Sequence, residues 1–285
     1  MSHPTAGLGF KPEHFADAMR CSAAGMWYEI HAENYMVAGG TRLSMLAALR
    51  DQHPVSVHGV GLSLASVDEP DRLHLLRLKQ VVERADAFVV SEHLAWSRWQ
   101  GAHFPDLLPF PRTSEALRLI ERNIDIAQNT LQRTLLIENP SLYLSLDTHG
   151  WSETDFLNEL VSRTGCGLLV DVNNVYVSTH NVGGNAYGYL DQLSANAIGE
   201  IHLAGHVSET HRDSTLLIDT HGAAICDEVW SLYQYLIKRI GARPTLIERD
   251  NNLPPFDELL AERNHAVQLL AAPAARLEYA NACIS

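Results

Sequence analysis

Short apolar runs rich in β-branched residues recur along the whole chain, and each is followed by polar residues. Such continuous runs are typical of strands in a parallel sheet that is covered on both faces. They predict eight strands: AGLGF from residue 6, MWYEIH from 26, PVSVHG from 54, AFVVSEH from 87, TLLIEN from 134, GLLVDVNN from 167, GEIHLAGH from 199 and PTLIERD from 244.

The segments between these runs have helical periodicity, with apolar residues returning every three or four positions. Clear examples are LHLLRLKQVVERA from residue 73 and SEALRLIERNIDIAQNTL from residue 114, where Thr113 or Ser114 can cap the helix. Eight alternating strand and helix units predict an α/β fold, a single (β/α)8 TIM barrel. A doubly wound open sheet is the competing architecture, but no GxGxxG motif follows the first strand.

We expect this barrel to form a single domain over residues 1–285, with AAPAARLEYANACIS as a short C-terminal tail. The segments after SEHLAW and IHLAGH are expected to be long loops. Long loops at this end of a barrel commonly line a substrate pocket. Their chemistry-bearing residues are Trp96, Trp99, His103, Phe104, Pro105, His211 and Asp213.

Polar side chains of metal-ligand type stand at the ends of seven predicted strands. They are Glu29 and His31; His58; Glu92 and His93; Glu138 and Asn139; Asp171, Asn173 and Asn174; His202 and His206; and Glu248 and Asp250. In a parallel barrel these ends meet on one face, where several carboxylates would repel one another unless cations neutralised them. A lone histidine here is more often structural, but seven strands with the same feature indicate a metal site.

Two further candidates lie outside the strands, in the segment LLIDTHG. Asp219 and His221 are two positions apart, so in an extended segment they point the same way and can grip one ion. The amides Asn139, Asn173 and Asn174, and part of the set Glu29, His31 and Glu33, are expected to orient ligands by hydrogen bonds rather than to bind metal.

These donors are oxygen and nitrogen atoms without cysteine sulfur, which fits iron, manganese or zinc. The number of candidate ligands exceeds what one ion can use, so two or three metals are expected, with a carboxylate such as Glu138 available as a bridge.

Composition narrows the function further. The formal net charge of −13 without a basic run disfavours nucleic acid as a partner. The four cysteines, at 21, 166, 226 and 283, form no CxxC pair, and the N-terminus does not look like a signal peptide. No apolar stretch is long enough for a membrane helix. We therefore expect a cytoplasmic protein without membrane contact.

Six ordered motifs resemble one known family. SEHLAWS, LIENPSLY, DVNNVYVSTHN, IHLAGH, IDTHG and LIERD are similar to motifs of the multinuclear non-heme iron-dependent oxidative enzymes, which include the methanobactin-biosynthesis oxygenase and the enzymes that modify bufferin peptides. The resemblance runs from about Gly7 to Leu270 and implies a xylose-isomerase-like TIM barrel. It implies two or three irons (Fe2+/Fe3+), held by His58, His93, Glu138, Asp171, His202, Asp219, His221 and Glu248.

The resemblance also implies a reaction and its partners. The expected reaction is an oxygen-dependent oxidative modification of cysteine in a ribosomally synthesised precursor peptide. Such enzymes commonly work with a protein that captures the leader peptide, and here it is expected to be a separate chain. The roles of His180 and His206, which lie in the same motifs, stay open.

Two other functions fit the predicted residues. One is a zinc- or manganese-dependent isomerase or phosphodiesterase on the same barrel. Lysines occur only at 11, 79 and 238, which predicts none at a strand end and disfavours a sugar isomerase that uses a catalytic lysine. The other is a metal-binding or storage protein without catalysis, which would consume no oxygen with any peptide.

Overall fold

The computed structural model describes residues 5–99, 101–211 and 214–272, without the side chains of residues 105, 211 and 214. Asp213, the side chains of Pro105 and His211, and the predicted tail from residue 273 onward lie outside the described residues.

Eight parallel strands close into a barrel, which confirms the predicted architecture. They are β1 (Ala6–Gly9), β2 (Tyr28–His31), β3 (Val55–Gly59), β4 (Val90–His93), β7 (Leu136–Glu138), β8 (Gly167–Asp171), β9 (Ile198–Leu203) and β12 (Thr245–Ile247).

Helices on the outside connect successive barrel strands. They are α1 (Phe15–Arg20), α2 (Thr41–Gln52), α3 (Arg72–Ala85), α4 (Ser114–Leu131), α5 (Glu153–Thr164), α6 (Val172–Val182), α7 (Ala186–Gln192), α8 (Asp227–Ile240) and α9 (Phe256–Ala271), with short 3-10 helices at Pro12–His14 and Ala32–Tyr35. Thr113 caps α4, since its hydroxyl accepts a hydrogen bond from the Ala116 N–H. Among the described residues, no helix is long and apolar enough to cross a membrane.

The two segments expected to be long loops are instead antiparallel hairpins. One pairs β5 (Trp96–Trp99) with β6 (Ala102–Leu108), and the other pairs β10 (Val207–His211) with β11 (Ser214–Ile218). Gly101 supports the first turn with a φ of 79°, which a glycine adopts at little cost. Each hairpin follows the carboxyl end of a barrel strand, so both stand at the same mouth of the barrel.

The barrel strands pair in a register that places their polar ends side by side. His31 lies opposite His58, His93 opposite Glu138, and Asp171 opposite His202. Partners in one register of a parallel sheet lie about 4.8 Å apart. The fold thus gathers side chains from distant parts of the sequence on one face.

The opposite end of the barrel is closed by packing and backbone hydrogen bonds. A Cβ atom on Gly7 would overlap the Trp27 ring, so β1 can pass this indole only with glycine there. Buried Arg263 donates to the carbonyls of Ala6 and Ala24 and to the Thr5 hydroxyl. This end therefore serves stability, and the chemistry-bearing side chains lie at the other end.

Candidate metal centre

The carboxyl-terminal mouth of the barrel holds five overlapping groups of three acidic or imidazole side chains, and the potential ligand atoms within each group lie within 4.8 Å of one another. The groups contain seven of the eight predicted ligands. Their members are His58, His93 and Glu138; Glu29, His202 and Glu248; His31, Glu248 and Asp250; Glu138, Asp171 and His202; and Asp171, His221 and Glu248.

The group at the ends of β3, β4 and β7 is the tightest. Glu138 Oε2 lies 2.9 Å from His93 Nδ1 and 3.4 Å from His58 Nε2, and the two imidazole Nε2 atoms are 3.0 Å apart. On its other side His58 Nδ1 contacts the Ser91 hydroxyl at 2.8 Å, which fixes the ring. With one atom taken from each residue, two imidazole nitrogens and one carboxylate oxygen lie within 4.8 Å of one another, a set that suits a single divalent ion once both imidazoles are neutral.

His202 lies at the centre of the mouth and is fully buried. Its Nδ1 is 3.1 Å from Glu248 Oε2, and its Nε2 is 3.4 Å from Glu29 Oε1. Because the same Glu248 oxygen lies 3.4 Å from His221 Nδ1, Glu248 links the central group to the loop after β11.

Asp219 and His221 approach the strand ends from that loop. His221 Nε2 lies 2.8 Å from Asp219 Oδ1 and 4.0 Å from Asp171 Oδ2. His221 has a φ of 48°, uncommon for a non-glycine residue, and its carbonyl accepts hydrogen bonds from the N–H groups of Asp250 and Asn251. The neighbouring segment thus holds His221 in this conformation.

Three carboxylates of the centre share one arrangement: the protein binds one oxygen and leaves the other without a hydrogen bond. The bound oxygens are Glu29 Oε2 by the Ser56 hydroxyl, Glu138 Oε1 by the Asn174 amide, and Asp171 Oδ1 by the Asn174 N–H. The buried atoms without a hydrogen-bond partner include five atoms of candidate ligands, namely Glu29 Oε1, Glu138 Oε2, Asp171 Oδ2, His202 Nε2 and His221 Nε2. Buried polar atoms are normally satisfied, so this convergence fits a cation as their partner.

The amides of the motif DVNN contact candidate ligands or their backbone. Asn173 Nδ2 donates to Asp219 Oδ1 at 2.8 Å, and its Oδ1 contacts His206 Nδ1, also at 2.8 Å. Asn139 exchanges two hydrogen bonds with the backbone of Asp171, at 2.9 and 3.1 Å. His180 lies further out, where its Nε2 contacts the Thr215 carbonyl.

Proton affinities follow from burial and from the crowding of charges. Burial raises the pKa of the Asp171 carboxyl well above its usual range. Burial disfavours the imidazolium form of His202, but the carboxylates of Glu29 and Glu248 outweigh it and raise the His202 pKa well above normal. The pKa of His221 is raised in the same way, by Glu248 and Asp219 against burial. The raised pKa values of Asp171, His202 and His221 mean that these groups tend to keep protons. Bound protons reduce the negative charge of the site, as a metal ion would do in their place.

The structure adds residues to the predicted set and corrects one expectation. Glu29, His31 and Asp250 lie in the same close groups as the predicted ligands, and strand-end position was the signal for each. The expectation that no lysine stands at a strand end was wrong. Lys11 follows β1 by two residues, and its Nζ lies 2.6 Å from Asp250 Oδ1. The short segment after β1 has no apolar pattern, so the sequence could not predict that Lys11 lies next to Asp250.

Comparison with known proteins identifies relatives over nearly the whole chain. The model of the family described as RiPP precursor modification enzyme MbnB/TglH/ChrH matches residues 5–271. A UPF0276 protein of Caulobacter vibrioides is 60% identical over 269 residues, which cover 94% of this chain and 96% of that protein. A UPF0276 protein of Bordetella pertussis is 48% identical over 269 residues, covering 93% of this chain and 92% of that one.

Solved structures show the same architecture at low sequence identity. A xylose isomerase domain protein from Planctomyces limnophilus has a TM-score of 0.56 at 14% identity and covers 94% of this chain and 96% of its own. A D-psicose 3-epimerase solved with D-fructose has a TM-score of 0.60 at 10% identity, covering 94% and 97%. These likenesses confirm a xylose-isomerase-like TIM barrel and carry no information on the reaction.

Proposed function

Since the chain belongs to the MbnB/TglH/ChrH family of RiPP precursor modification enzymes, it acts on ribosomally synthesised peptides, and we propose that it oxidises a cysteine of its precursor peptide with two or three bound irons. Family membership supports the peptide substrate. The convergence of buried, unpartnered oxygen and nitrogen atoms at the barrel mouth supports the metal.

Iron fits the donors that this site offers. The ligand atoms are carboxylate oxygens and imidazole nitrogens, an intermediate set that iron accepts and that soft-metal or all-oxygen sites do not resemble. We propose the eight predicted residues as ligands, with Glu29, His31 and Asp250 as additional candidates. One octahedral ion uses about six positions, so this number of donors supports more than one ion.

The protein's own residues would orient the ligands and hold the protons. Asn174 fixes Glu138 and Asp171 with their second oxygens directed to the centre, and Asn173 holds Asp219. The contacts of His202 Nδ1 with Glu248 and of His221 Nδ1 with Asp250 direct each Nε2 toward another candidate ligand, Glu29 for His202 and Asp219 for His221. Bound iron would supply one-electron redox chemistry and a Lewis-acidic position for a cysteine sulfur.

The rim of the barrel offers contacts to a peptide. Exposed apolar side chains stand on the first hairpin and on the segment after β7, namely Trp99, Phe104, Leu107, Tyr143 and Leu144. Tyr143 lies next to the centre, since its hydroxyl accepts the Asp219 N–H at 3.0 Å. We propose that these side chains hold the substrate over the metal centre. We further propose that the reaction takes place in the cytoplasm, with a separate leader-binding protein.

A metal-dependent isomerase is the second candidate, and Lys11 is the observation that favours it. A lysine does lie at the barrel mouth, where a catalytic lysine could act. Its ammonium is engaged by Asp250 at 2.6 Å, however, and the family model describes peptide modification. Zinc or manganese with activity on a small sugar would favour the isomerase.

Metal analysis combined with a peptide assay tests the proposal. Protein purified without chelators is expected to contain about two to three irons per chain, given the number of donors. A cysteine-containing peptide encoded beside the gene should lose mass as hydrogens are removed in air, and should stay unchanged without oxygen. Zinc alone, with iron neither bound nor able to support activity, would overturn the oxidative assignment.

A further inference from the structure

A groove beside the candidate metal centre lies between the last turns of α6 and the first residues of α7 and α8. Its volume is about 500 Å³, within the roughly 300–1,000 Å³ of small-ligand sites. The rings of Tyr176 and Tyr187 and the carboxylates of Asp227 and Glu228 form its walls. We call it the acidic groove.

The described residues that line the groove include the carboxylates Asp227 and Glu228 and the imidazole of His180, but no lysine or arginine. Asp227 and Glu228 are exposed, and neither forms an ion pair with any residue in 5–99, 101–211 or 214–272. Burial raises the pKa of the Tyr176 hydroxyl, and the negative charge of Glu228 raises it further. Aromatic faces next to carboxylates that form no ion pair are the surroundings that guanidinium and ammonium groups prefer.

The shape of the groove favours a chain over a small ion. A second cavity of about 370 Å³ shares Thr179, Gly184 and Asn185 with the first, so the two adjoin along the turn between α6 and α7. A single cation would leave most of this space empty, whereas an extended peptide advances about 3.3 Å per residue and can follow it.

Direct contacts connect the groove to the metal centre. The Tyr176 ring lies 5.3 Å from the His206 ring, His206 Nδ1 lies 2.8 Å from Asn173 Oδ1, and Asn173 donates to Asp219. A peptide anchored in the groove is therefore a short distance from the barrel mouth.

We propose that the acidic groove binds a lysine- or arginine-containing segment of the peptide substrate and so places a nearby cysteine at the metal centre. This inference rests on the proposed function for the identity of the peptide, but the binding itself needs no metal and no oxidation. The net charge of −13 also favours approach of a basic segment.

Fluorescence polarisation with a defined probe tests the groove. The probe is a short fluorescein-labelled peptide of alternating glycine and arginine, and its matched control carries glutamine in place of arginine. The variant Asp227→Asn/Glu228→Gln should weaken binding of the arginine probe by about tenfold, since two charges facing the probe are lost. Tyr187→Ser, which changes no charge, should weaken it by about threefold.

The chain contains a matched control at another helix start. Asp257 and Glu258 are exposed in the first turn of α9, so Asp257→Asn/Glu258→Gln alters net charge equally. It should bind the arginine probe as the parent does, and thermal unfolding should show that all variants fold. Equal weakening by both double variants, or no weakening by Asp227→Asn/Glu228→Gln, overturns the proposal.

Metal-free protein separates this inference from the proposed function. Probe binding with the expected variant pattern supports the groove even if iron-loaded protein oxidises no peptide, and only the proposed function then fails. Conversely, if a peptide is oxidised with the same KM by the parent and by Asp227→Asn/Glu228→Gln, the groove proposal fails alone.

Discussion

Lys11 and Asp250, 239 positions apart in the sequence, form an ion pair of 2.6 Å at the mouth of the barrel. They follow β1 and β12, the neighbouring strands that close the barrel. The second oxygen of Asp250 lies 3.2 Å from His221 Nδ1. Lys11 therefore holds the carboxylate that orients His221, and its effect extends to a candidate ligand that it does not touch.

Replacing Lys11 should weaken metal binding without removing a ligand. In Lys11→Met, Asp250 loses its partner and His221 its fixed orientation, so we expect metal affinity to fall by about tenfold. Anaerobic titration with Fe2+ measures the change. Lys238→Met, at an exposed position of α8, is the matched control and should titrate like the parent. Equal affinities of the two variants would show that Lys11 does not position the site.

Glu138 and its neighbour Asn139 should respond differently to substitution. Glu138→Ala removes the carboxylate between His58 and His93, so bound iron should fall most in this variant. Asn139→Ala removes the side-chain partner of the buried Asp171 N–H and one hydrogen bond to the Asp171 carbonyl, and should cost about 1–3 kcal/mol of unfolding free energy, with a smaller loss of iron. Elemental analysis and denaturant unfolding check both, and equal iron loss would mean that Asn139 is also a ligand.

The sequence predicted the barrel because each strand is a continuous apolar run ending in a polar residue. This local pattern survives in the fold, as at GLLVD, where β8 covers the predicted segment and ends at Asp171. It also predicted which face would carry the chemistry, since parallel strands have their carboxyl ends together.

Metal binding should release protons. Nearby carboxylates raise the pKa values of His202 and His221, which favours their protonated forms in the metal-free protein, whereas a metal requires both imidazoles neutral. Metal affinity should therefore increase with pH through neutrality. A pH indicator in weakly buffered solution should report acidification upon addition of Fe2+ under anaerobic conditions. Affinity independent of pH would contradict these protonation states.

Arg263 should matter for stability and not for metal. Arg263→Met removes hydrogen bonds to the buried Ala6 carbonyl, the Ala24 carbonyl and the Thr5 hydroxyl at the end of the barrel opposite to the site. We expect a loss of about 1–3 kcal/mol in unfolding free energy, because the buried Ala6 carbonyl loses the guanidinium that donates to it. Iron content per folded chain should stay at the parent value, which elemental analysis of the folded fraction checks.

Other features could not be predicted because they depend on residues that are distant in the sequence and meet only in the folded barrel. Lys11 is two residues beyond a strand, and only barrel closure brings it to Asp250. The sequence could not separate ligands from orienting partners within the set Glu29, His31 and Glu33, whereas the register of β1, β2 and β3 places Glu29 Oε1 3.4 Å from His202 Nε2. The hairpins were predicted as loops because their strands, such as Val207–His211, lack a long apolar run.

Mass spectrometry of a cysteine-containing precursor peptide tests the central claim most directly. The peptide is incubated in air with iron-loaded protein, an electron donor and any leader-binding partner, beside a peptide with serine in place of the target cysteine and beside the Glu138→Ala variant. The account predicts an oxygen-dependent mass loss localised to the cysteine, absent from both controls. An unchanged peptide with fully iron-loaded protein would contradict it and favour the isomerase or hydrolase alternative.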